Sequence, residues 1–221
     1  MLTNEEQEYV YNTTRKFIPA VLKKINFVDA GKEVGHKFGD LFEDELKNML
    51  RESDLDFTDA TTIRGAADIH YTGDYIDVKF GLGEEGKGKK GNPNCTSVKK
   101  LQTFIKRKRG DCKVNSFFDS LYILSYDVKN DALKMFDVFD YMDYLNCDAG
   151  TGQTMLNESK ITKNLVEGVN IPEKTLTYEE KVIKIADIRL DALDRNIRLR
   201  TKQFNDLKKE MNEYKGQSTL F

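Results

Sequence analysis

Residues 66–80 read AADIHYTGDYIDVKF, two short runs of strand-forming residues on either side of a glycine. Alternation of side-chain character at every second residue is typical of β-strands, and the Thr72-Gly73 pair between the runs is typical of a tight turn. The sequence therefore predicts a β-hairpin, with one strand over 66–71 and the next over 75–80.

The length of the turn sets which residues of the hairpin face each other. With a two-residue turn Tyr71 pairs with Asp74, and Asp68 then falls opposite Asp77; a four-residue loop gives the same register. A three-residue loop instead puts Asp68 opposite Val78, unless a bulge corrects the pairing. We favour the register that joins the two aspartates.

In that register two carboxylates and an ammonium group share one face, because Asp77 and Lys79 alternate to the same side of their strand. Adjacent carboxylates repel each other, and a divalent cation relieves the repulsion. Their hard oxygen atoms suit Mg²⁺, which typically binds one or two carboxylates together with phosphate oxygens and water. Together, Asp68, Asp77 and Lys79 form a set suited to phosphodiester hydrolysis. In such a site Lys79 orients the attacking water and offsets charge on the phosphate.

The triplet Asp/Glu-x-Lys is by itself a weak signal, because it occurs nine times in the chain. Other copies include Glu45-Leu46-Lys47 and Asp206-Leu207-Lys208. The strongest rival is Asp127-Val128-Lys129, which also ends an apolar strand. Only the triplet at 77–79 has an aspartate on a neighbouring predicted strand across a glycine turn, followed at once by a basic loop. The alternative interpretation is a surface hairpin with alternating charges.

Basic residues are segregated in the sequence, although the formal net charge is only −2. The segment from 87 to 109 contains nine lysines and arginines and no acidic residue. Such a tract in an otherwise acidic protein indicates a surface that faces a polyanion. The alternative is the solvated face of a helix, since 96–109 also has the spacing of an amphipathic helix.

The remaining patterns predict a mixed α/β fold, a sheet flanked by helices. Helices are expected over 3–24, where Thr3 and Glu6 form a capping box and Pro19 introduces a kink or a split, and from about 34 to 50, with Phe38, Leu41, Phe42, Leu46 and Met49 on one side. The apolar run 117–127 predicts a central strand, and 133–145 a strand that passes into a helix. Residues 146–176 predict a loop-rich arm. A long helix, capped by Thr177 with Glu180, should follow and continue to about 214.

Length and composition indicate one domain of 221 residues: an N-terminal helical segment over 1–33, a catalytic core over 34–145, and an arm with the C-terminal helix over 146–221. Charged residues make up 33% and hydrophobic residues 39%, which excludes a disordered chain. No apolar stretch approaches the ~20 residues of a membrane span, and the start lacks the order of a signal peptide, so we expect a cytoplasmic protein without a membrane partner. Three cysteines without a CxxC pair argue against a zinc site or a disulfide framework.

The hairpin residues resemble the PD-(D/E)xK nuclease superfamily. The resemblance is carried by Ala67-Asp68, with Ala where that family often has Pro, and by Asp77-Val78-Lys79. Within the superfamily the chain is similar to type II restriction endonucleases of the EcoRV-like branch. Three further segments support this: 39–45 with its Glu43, the loop Gly91-Asn92-Pro93-Asn94, and Thr177-Tyr178-Glu179-Glu180 at the start of a long helix.

The resemblance implies a restriction-endonuclease-like core and a homodimer that cuts a specific, palindromic site in double-stranded DNA with Mg²⁺ and no nucleotide cofactor. It implies that Asp68, Asp77 and the backbone carbonyl of Val78 hold the metal, with Glu43 as an outer carboxylate and Lys79 as the catalytic lysine.

Candidates for DNA contact follow the hairpin. Phosphate contacts are expected from lysines of the basic tract, namely Lys87, Lys89, Lys90, Lys99 and Lys100. Asn92, Asn94 and Gln153 carry amides that can pair with base edges, and each has an alternative interpretation as a turn residue. Two other functions remain open: a repair or junction-resolving nuclease of the same fold, which would cut by structure rather than by sequence, and a non-catalytic DNA-binding protein.

Overall fold

The computed structural model describes residues 2–24, 34–53, 57–59, 69–71, 74–81, 94–96, 120–147 and 154–218, several of them, Asp77 and Lys79 included, in their backbone only. The helices are α1 (Asn4–Lys24), α2 (Val34–Arg51), α3 (Glu158–Thr162) and α4 (Tyr178–Ser218), with a 3₁₀ segment over Val138–Tyr144. The strands are β1 (Phe57–Asp59), β2 (Ile69–Tyr71), β3 (Asp74–Gly81), β4 (Asn94–Thr96), β5 (Leu121–Asp127), β6 (Ala132–Asp137), β7 (Leu145–Cys147), β8 (Thr154–Leu156) and β9 (Gly168–Asn170).

Two sheets organise these elements. The larger is a six-stranded mixed sheet in the order β1-β2-β3-β5-β6-β9, in which β3 runs parallel to β5 and β6 parallel to β9 while the other neighbours are antiparallel. The smaller is an antiparallel sheet in the order β4-β8-β7. The expected mixed α/β class is confirmed at this level.

The strand β5 runs through the middle of the large sheet and is buried on both faces, as the apolar run predicted. Its alternate residues build two cores. Tyr122, Leu124 and Tyr126 pack with buried residues of α1 and α2 on one face. Leu121 and Ile123 pack on the other face with the 3₁₀ segment and with Ile185 of α4. Each face of the sheet is therefore covered by helical structure.

The helix α1 begins with the predicted capping box. The Thr3 Oγ1 accepts a hydrogen bond from the Glu6 N–H, and the Glu6 carboxylate accepts one from the Thr3 N–H at 2.7 Å. The helix then runs to Lys24 without a break, so of the two predicted alternatives near Pro19, a kink or a split, the split is wrong. Pro19 is exposed, and water can therefore solvate the Arg15 carbonyl that loses its helical donor.

The helix α2 confirms the predicted boundaries to within a residue but not every inward position. Phe42, Leu46 and Leu50 are fully buried in the core, whereas Leu41 is 52% exposed. Phe42 and Leu46 were predicted to face inward, whereas Leu41 was predicted inward and is exposed, and Leu50 is buried in addition. The side chain of Phe38 lies outside the described residues.

Within the segment from 132 to 176, the second half contains more helix and strand than predicted. As expected, β6 passes into a helical segment, where the Asp137 carboxylate caps the 3₁₀ turn by accepting from the Phe139 N–H. The expected loop-rich arm contains β7, β8, α3 and β9 among its described residues, and β9 joins the large sheet beside β6. The helix expected over 96–109 lies outside the described residues apart from Thr96.

The helix α4 is longer than predicted and has two different parts. Its capping box is formed as expected, with the Glu180 carboxylate 2.7 Å from the Thr177 N–H. Lys181, Ile185, Arg189 and Ala192 are buried against the body of the protein. From 197 to 216 every side chain is exposed. At ~1.5 Å per residue the helix extends ~60 Å. No helix among the described residues combines the length and apolarity that crossing a bilayer requires.

Candidate active site

The hairpin that carries the predicted site has the favoured register. In the antiparallel pair β2–β3, Tyr71 is paired with Asp74, His70 with Tyr75 and Ile69 with Ile76. This is the pairing expected when residues 72 and 73 alone connect the strands, and it excludes the register of a three-residue loop in these residues. Asp68, one position beyond Ile69, lies outside the described residues.

The strand β3 is held in register on its other side by β5. Asp77 is paired with Ile123 and Lys79 with Ser125, and the parallel pairing continues to Gly81 without a bulge. Both partner residues on β5 are buried. The pairing with β2 covers the first three residues of β3, and the motif positions follow directly after it. The backbone at 77–79 is thus fixed by a buried central strand.

The two faces of the sheet separate the motif positions from α2. Ile76 is buried in the same core as Phe42 and Leu46 of α2. Because successive residues of a strand alternate faces, positions 77 and 79 belong to the opposite face of the sheet from Ile76. The structure therefore does not bring α2 to the face of Asp77 and Lys79.

Glu43, the predicted outer carboxylate, lies on α2 and binds a lysine of its own helix. Its Oε1 is 2.5 Å from the Nζ of Lys47, a side chain that is only 2% exposed. Pairing with a carboxylate reduces the cost of burying the ammonium group. Sequence reasoning treated Lys47 as one of the uninformative triplet lysines. The available signal for a buried Lys47 was its position, one residue after the inward-facing Leu46 and four residues after Glu43, a spacing that allows an ion pair on a helix.

The rival triplet at 127–129 has a structural role. Asp127 ends β5, and its carboxylate accepts hydrogen bonds from the N–H groups of Lys129 and Asn130 and from the Asn130 side chain. These bonds close the turn between β5 and β6. The triplet at 206–208 lies on the exposed part of α4.

Of the predicted DNA contacts, the structure describes only the backbone of Asn94. It begins β4 and is paired with Met155 of β8, which follows Gln153 by two residues in the chain. The two elements that carry or adjoin these amide candidates are therefore neighbours in the small sheet. The other candidates lie outside the described residues: Lys87, Lys89, Lys90, Asn92, Lys99, Lys100 and Gln153.

A buried ionic cluster, which the sequence did not reveal, joins α4 to the large sheet. The Nζ of Lys181 is 3.3 Å from Asp137 and 3.6 Å from Asp140. The other oxygen of Asp137 accepts from the N–H groups of Leu121 and Phe139. Burial raises the pKa of Asp137 to about 6, although the Lys181 ammonium opposes that shift. The two aspartates line a cavity of about 310 Å³ with Tyr122 and Asn170.

A metal centre is not complete within the described residues. No group of three or more His, Cys, Asp or Glu side chains in that part of the chain could hold a metal ion. Asp68 and the side chain of Asp77 lie outside it. The donor types that the sequence provides at the hairpin, two carboxylates and a strand carbonyl, fit the oxygen preference of Mg²⁺.

Compared with known proteins, the chain matches no family model, no curated protein and no solved structure.

Proposed function

We propose that the protein is a Mg²⁺-dependent endonuclease that hydrolyses double-stranded DNA at a specific site, of the type II restriction class that its hairpin resembles. The observation that carries the proposal is the β2–β3 register. Continued by one residue beyond the described strand, the pairing of Ile69 with Ile76 would bring position 68 opposite position 77. Of the register alternatives, this is the one that would bring the two aspartates together.

In the proposed site Asp68, Asp77 and the Val78 carbonyl would hold Mg²⁺. The ion, when bound, would supply Lewis acidity toward a phosphate oxygen and would lower the pKa of a bound water. Lys79 donates a hydrogen bond that orients the attacking water, and its charge offsets the negative charge that develops on the phosphate. The continuous pairing of β3 with β5 supports this arrangement, since a catalytic group is positioned best on a rigid element.

Glu43 has an outer role in this proposal. It binds Lys47 on α2, on the side of the sheet away from positions 77 and 79, and we assign it no contact with the metal. Its effect on catalysis would be transmitted through the packing of α2 on Ile76.

The DNA lies, in this proposal, along the segment that follows β3. The lysines at 87–100 contact phosphates, which positions the duplex without reading its sequence. Asn92, Asn94 and Gln153 are the proposed base-reading residues, and the pairing of β4 with β8 supports their proximity. A palindromic target requires two copies of the chain, one for each strand.

The direct test is incubation of the purified protein with a sequenced plasmid and Mg²⁺. We expect discrete fragments whose ends map to one repeated sequence, and no cleavage in EDTA. Cutting that depends on branched or mismatched DNA would replace the restriction class by a repair nuclease. Binding of duplex DNA without any cleavage, in Mg²⁺ or Mn²⁺, would contradict the nuclease proposal and favour a non-catalytic DNA-binding protein.

A further inference from the structure

The helix α4 carries a stripe of exposed apolar side chains on the side away from the body of the protein. Its members, called here the α4 stripe, are Ile183, Leu190, Leu193, Ile197, Phe204, Leu207, Met211 and Tyr214. All eight are at least 42% exposed. A contiguous apolar surface of this length is uncommon on a soluble monomer and marks a site of association.

The spacing of the α4 stripe is that of a coiled coil. Ile183, Leu190, Ile197, Phe204 and Met211 recur at intervals of seven, and Leu193, Leu207 and Tyr214 occupy the position three residues further in their heptads. In the heptad notation these are positions a and d, sustained over more than four heptads. The residues that anchor α4 to the body, Lys181, Ile185 and Arg189, lie outside these two positions.

We infer that the α4 stripe from Leu190 to Tyr214 packs against the same residues of a second copy of this chain, as an antiparallel two-stranded coiled coil. The charges beside the stripe favour this partner and this direction. At position e the chain has Asp187 and Asp194 in the first half of the helix and Lys208 and Lys215 in the second half. An antiparallel pair places Asp194 beside Lys208 of the second copy, and Asp187 beside its Lys215.

The exception in the stripe argues for the same direction. Arg200 occupies a d position, where a parallel pair would put it against Arg200 of the second copy at the core of the interface. The antiparallel register instead layers Arg200 on Phe204 of the second copy, where a guanidinium can stack on an aromatic ring. The neighbouring layers then join Ile197 with Leu207 and Leu193 with Met211. A parallel pair would place Glu210 beside Lys215 of the second copy in compensation, whereas Arg189, which the same spacing sets beside Asp194, is buried against the body of its own chain.

The assembly test uses two exposed leucines of the same helix. Leu207 is 59% exposed and belongs to the stripe, whereas Leu199 is 50% exposed and lies off it. We expect the wild-type chain of 25.4 kDa to sediment at twice that mass. Leu207→Glu should raise the dimer Kd by more than ~100-fold, because a buried carboxylate enters the symmetric interface twice. Leu199→Glu should leave the dimer intact.

Folding does not confound this test, because neither leucine packs against the body of the chain, and the circular dichroism of monomeric Leu207→Glu should remain helical. A wild-type monomer, or a dimer that survives Leu207→Glu, would overturn the inference. Cleavage assays report on the nuclease proposal separately, so that a coiled-coil dimer without nuclease activity and a nuclease without this dimer are distinguishable.

The direction of the helices is tested by disulfide trapping against the wild-type background. The antiparallel register brings Gln203 close to Gln203 of the second copy, and it separates the two Met211 residues. We therefore expect oxidised Gln203→Cys to form a covalent dimer and Met211→Cys to form no more than wild type. The reverse pattern would establish a parallel pair and overturn the proposed direction.

Discussion

The buried Asp137 carboxylate accepts hydrogen bonds from the backbone N–H groups of Leu121 and Phe139. It also pairs with the buried ammonium group of Lys181 on α4. Burial alone would keep this carboxyl group neutral, because a charged group loses its hydration. Lys181 and the two N–H groups compensate in part. The pKa nevertheless stays above the ordinary value of 3.8, at about 6. The residue is therefore a titratable element of the joint between α4 and the sheet.

The raised pKa of Asp137 predicts a specific dependence of stability on pH. Between 3.8 and about 6 the folded chain holds a proton on Asp137 that the unfolded chain releases, so this group's contribution to the free energy of unfolding falls as the pH rises through that window. Asp137→Asn cannot titrate. The stability of wild type relative to Asp137→Asn should decrease from pH 4 to pH 7, as measured by urea denaturation.

The difference between the two proteins cancels the titration of groups that do not interact with Asp137. Asp140 does interact with it and shares Lys181, so both proteins are compared in an Asp140→Asn background, where the sign of the difference is decisive. If wild type gains stability over Asp137→Asn as the pH rises, the ion pair with Lys181 outweighs burial and the pKa is lowered rather than raised.

The structural roles of some single residues could be predicted from the sequence, and those of others could not. The capping residues Thr3 and Glu6 were predictable, because their hydrogen bonds connect neighbours in the chain. Buried Lys47 and Lys181 were not, because charged side chains are expected in solvent unless a partner is known. Buried Lys181 is paired with Asp137 and Asp140, which lie more than forty positions earlier in the chain. No local sequence pattern shows that pairing.

At the scale of elements, the first turn of α4 decides how the longest helix begins. Thr177 and Glu180 satisfy two of the N–H groups that a helix start leaves without partners. Thr177→Ala should lower the free energy of unfolding by ~1 kcal/mol, because the Thr177 hydroxyl no longer accepts from the Glu180 N–H. Chemical denaturation measures this change.

The exposed Thr175, two residues before the cap, provides the matched control. Thr175→Ala should change stability by less than ~0.5 kcal/mol, as is usual for surface positions. Equal losses in the two variants would show that the capping box adds nothing beyond an ordinary threonine.

The elements themselves were largely predictable from periodicity. The apolar run of β5, the change of period at the hairpin and the stripe of α2 each gave the correct type of structure. The errors have local causes. Pro19 did not end α1, because its missing N–H lies on the solvent side. The short strands of residues 145–170 were missed, because three-residue strands are too short for a periodic signal.

At the scale of the whole molecule, the order of the strands was beyond the sequence. The neighbours β3 and β5 are parallel and are separated in the chain by about forty residues, and β9 returns to pair with β6. Such contacts are fixed by the packing of distant segments and have no local signature. The local part of the site, the register of β2 and β3, was predictable because a tight turn determines it.

Strand order also determines which predicted site residues can act together. Positions 77 and 79 belong to one face of the sheet by strand alternation, and Asp68, which lies outside the described residues, is predicted on the same hairpin. Glu43 was predicted from a resemblance in sequence, which carries no information about faces. Its helix packs on the Ile76 face, and the metal-binding side chains proposed at the hairpin lie outside the described residues, so its place near the metal stays a prediction.

The central claim, that Asp77-Val78-Lys79 is the catalytic triplet, is tested most directly by comparing Lys79→Ala with Lys129→Ala in plasmid cleavage. Both variants remove the lysine from an Asp-Val-Lys triplet at a strand of the same sheet, and Lys129 is an exposed turn residue. Lys79→Ala, like Asp77→Ala, should lower the cleavage rate in Mg²⁺ by at least ~100-fold and leave DNA binding in Ca²⁺ largely unchanged. Lys129→Ala should cut at the wild-type rate. Undiminished cleavage by Lys79→Ala or Asp77→Ala, in a wild-type protein that does cut DNA, would contradict the assignment.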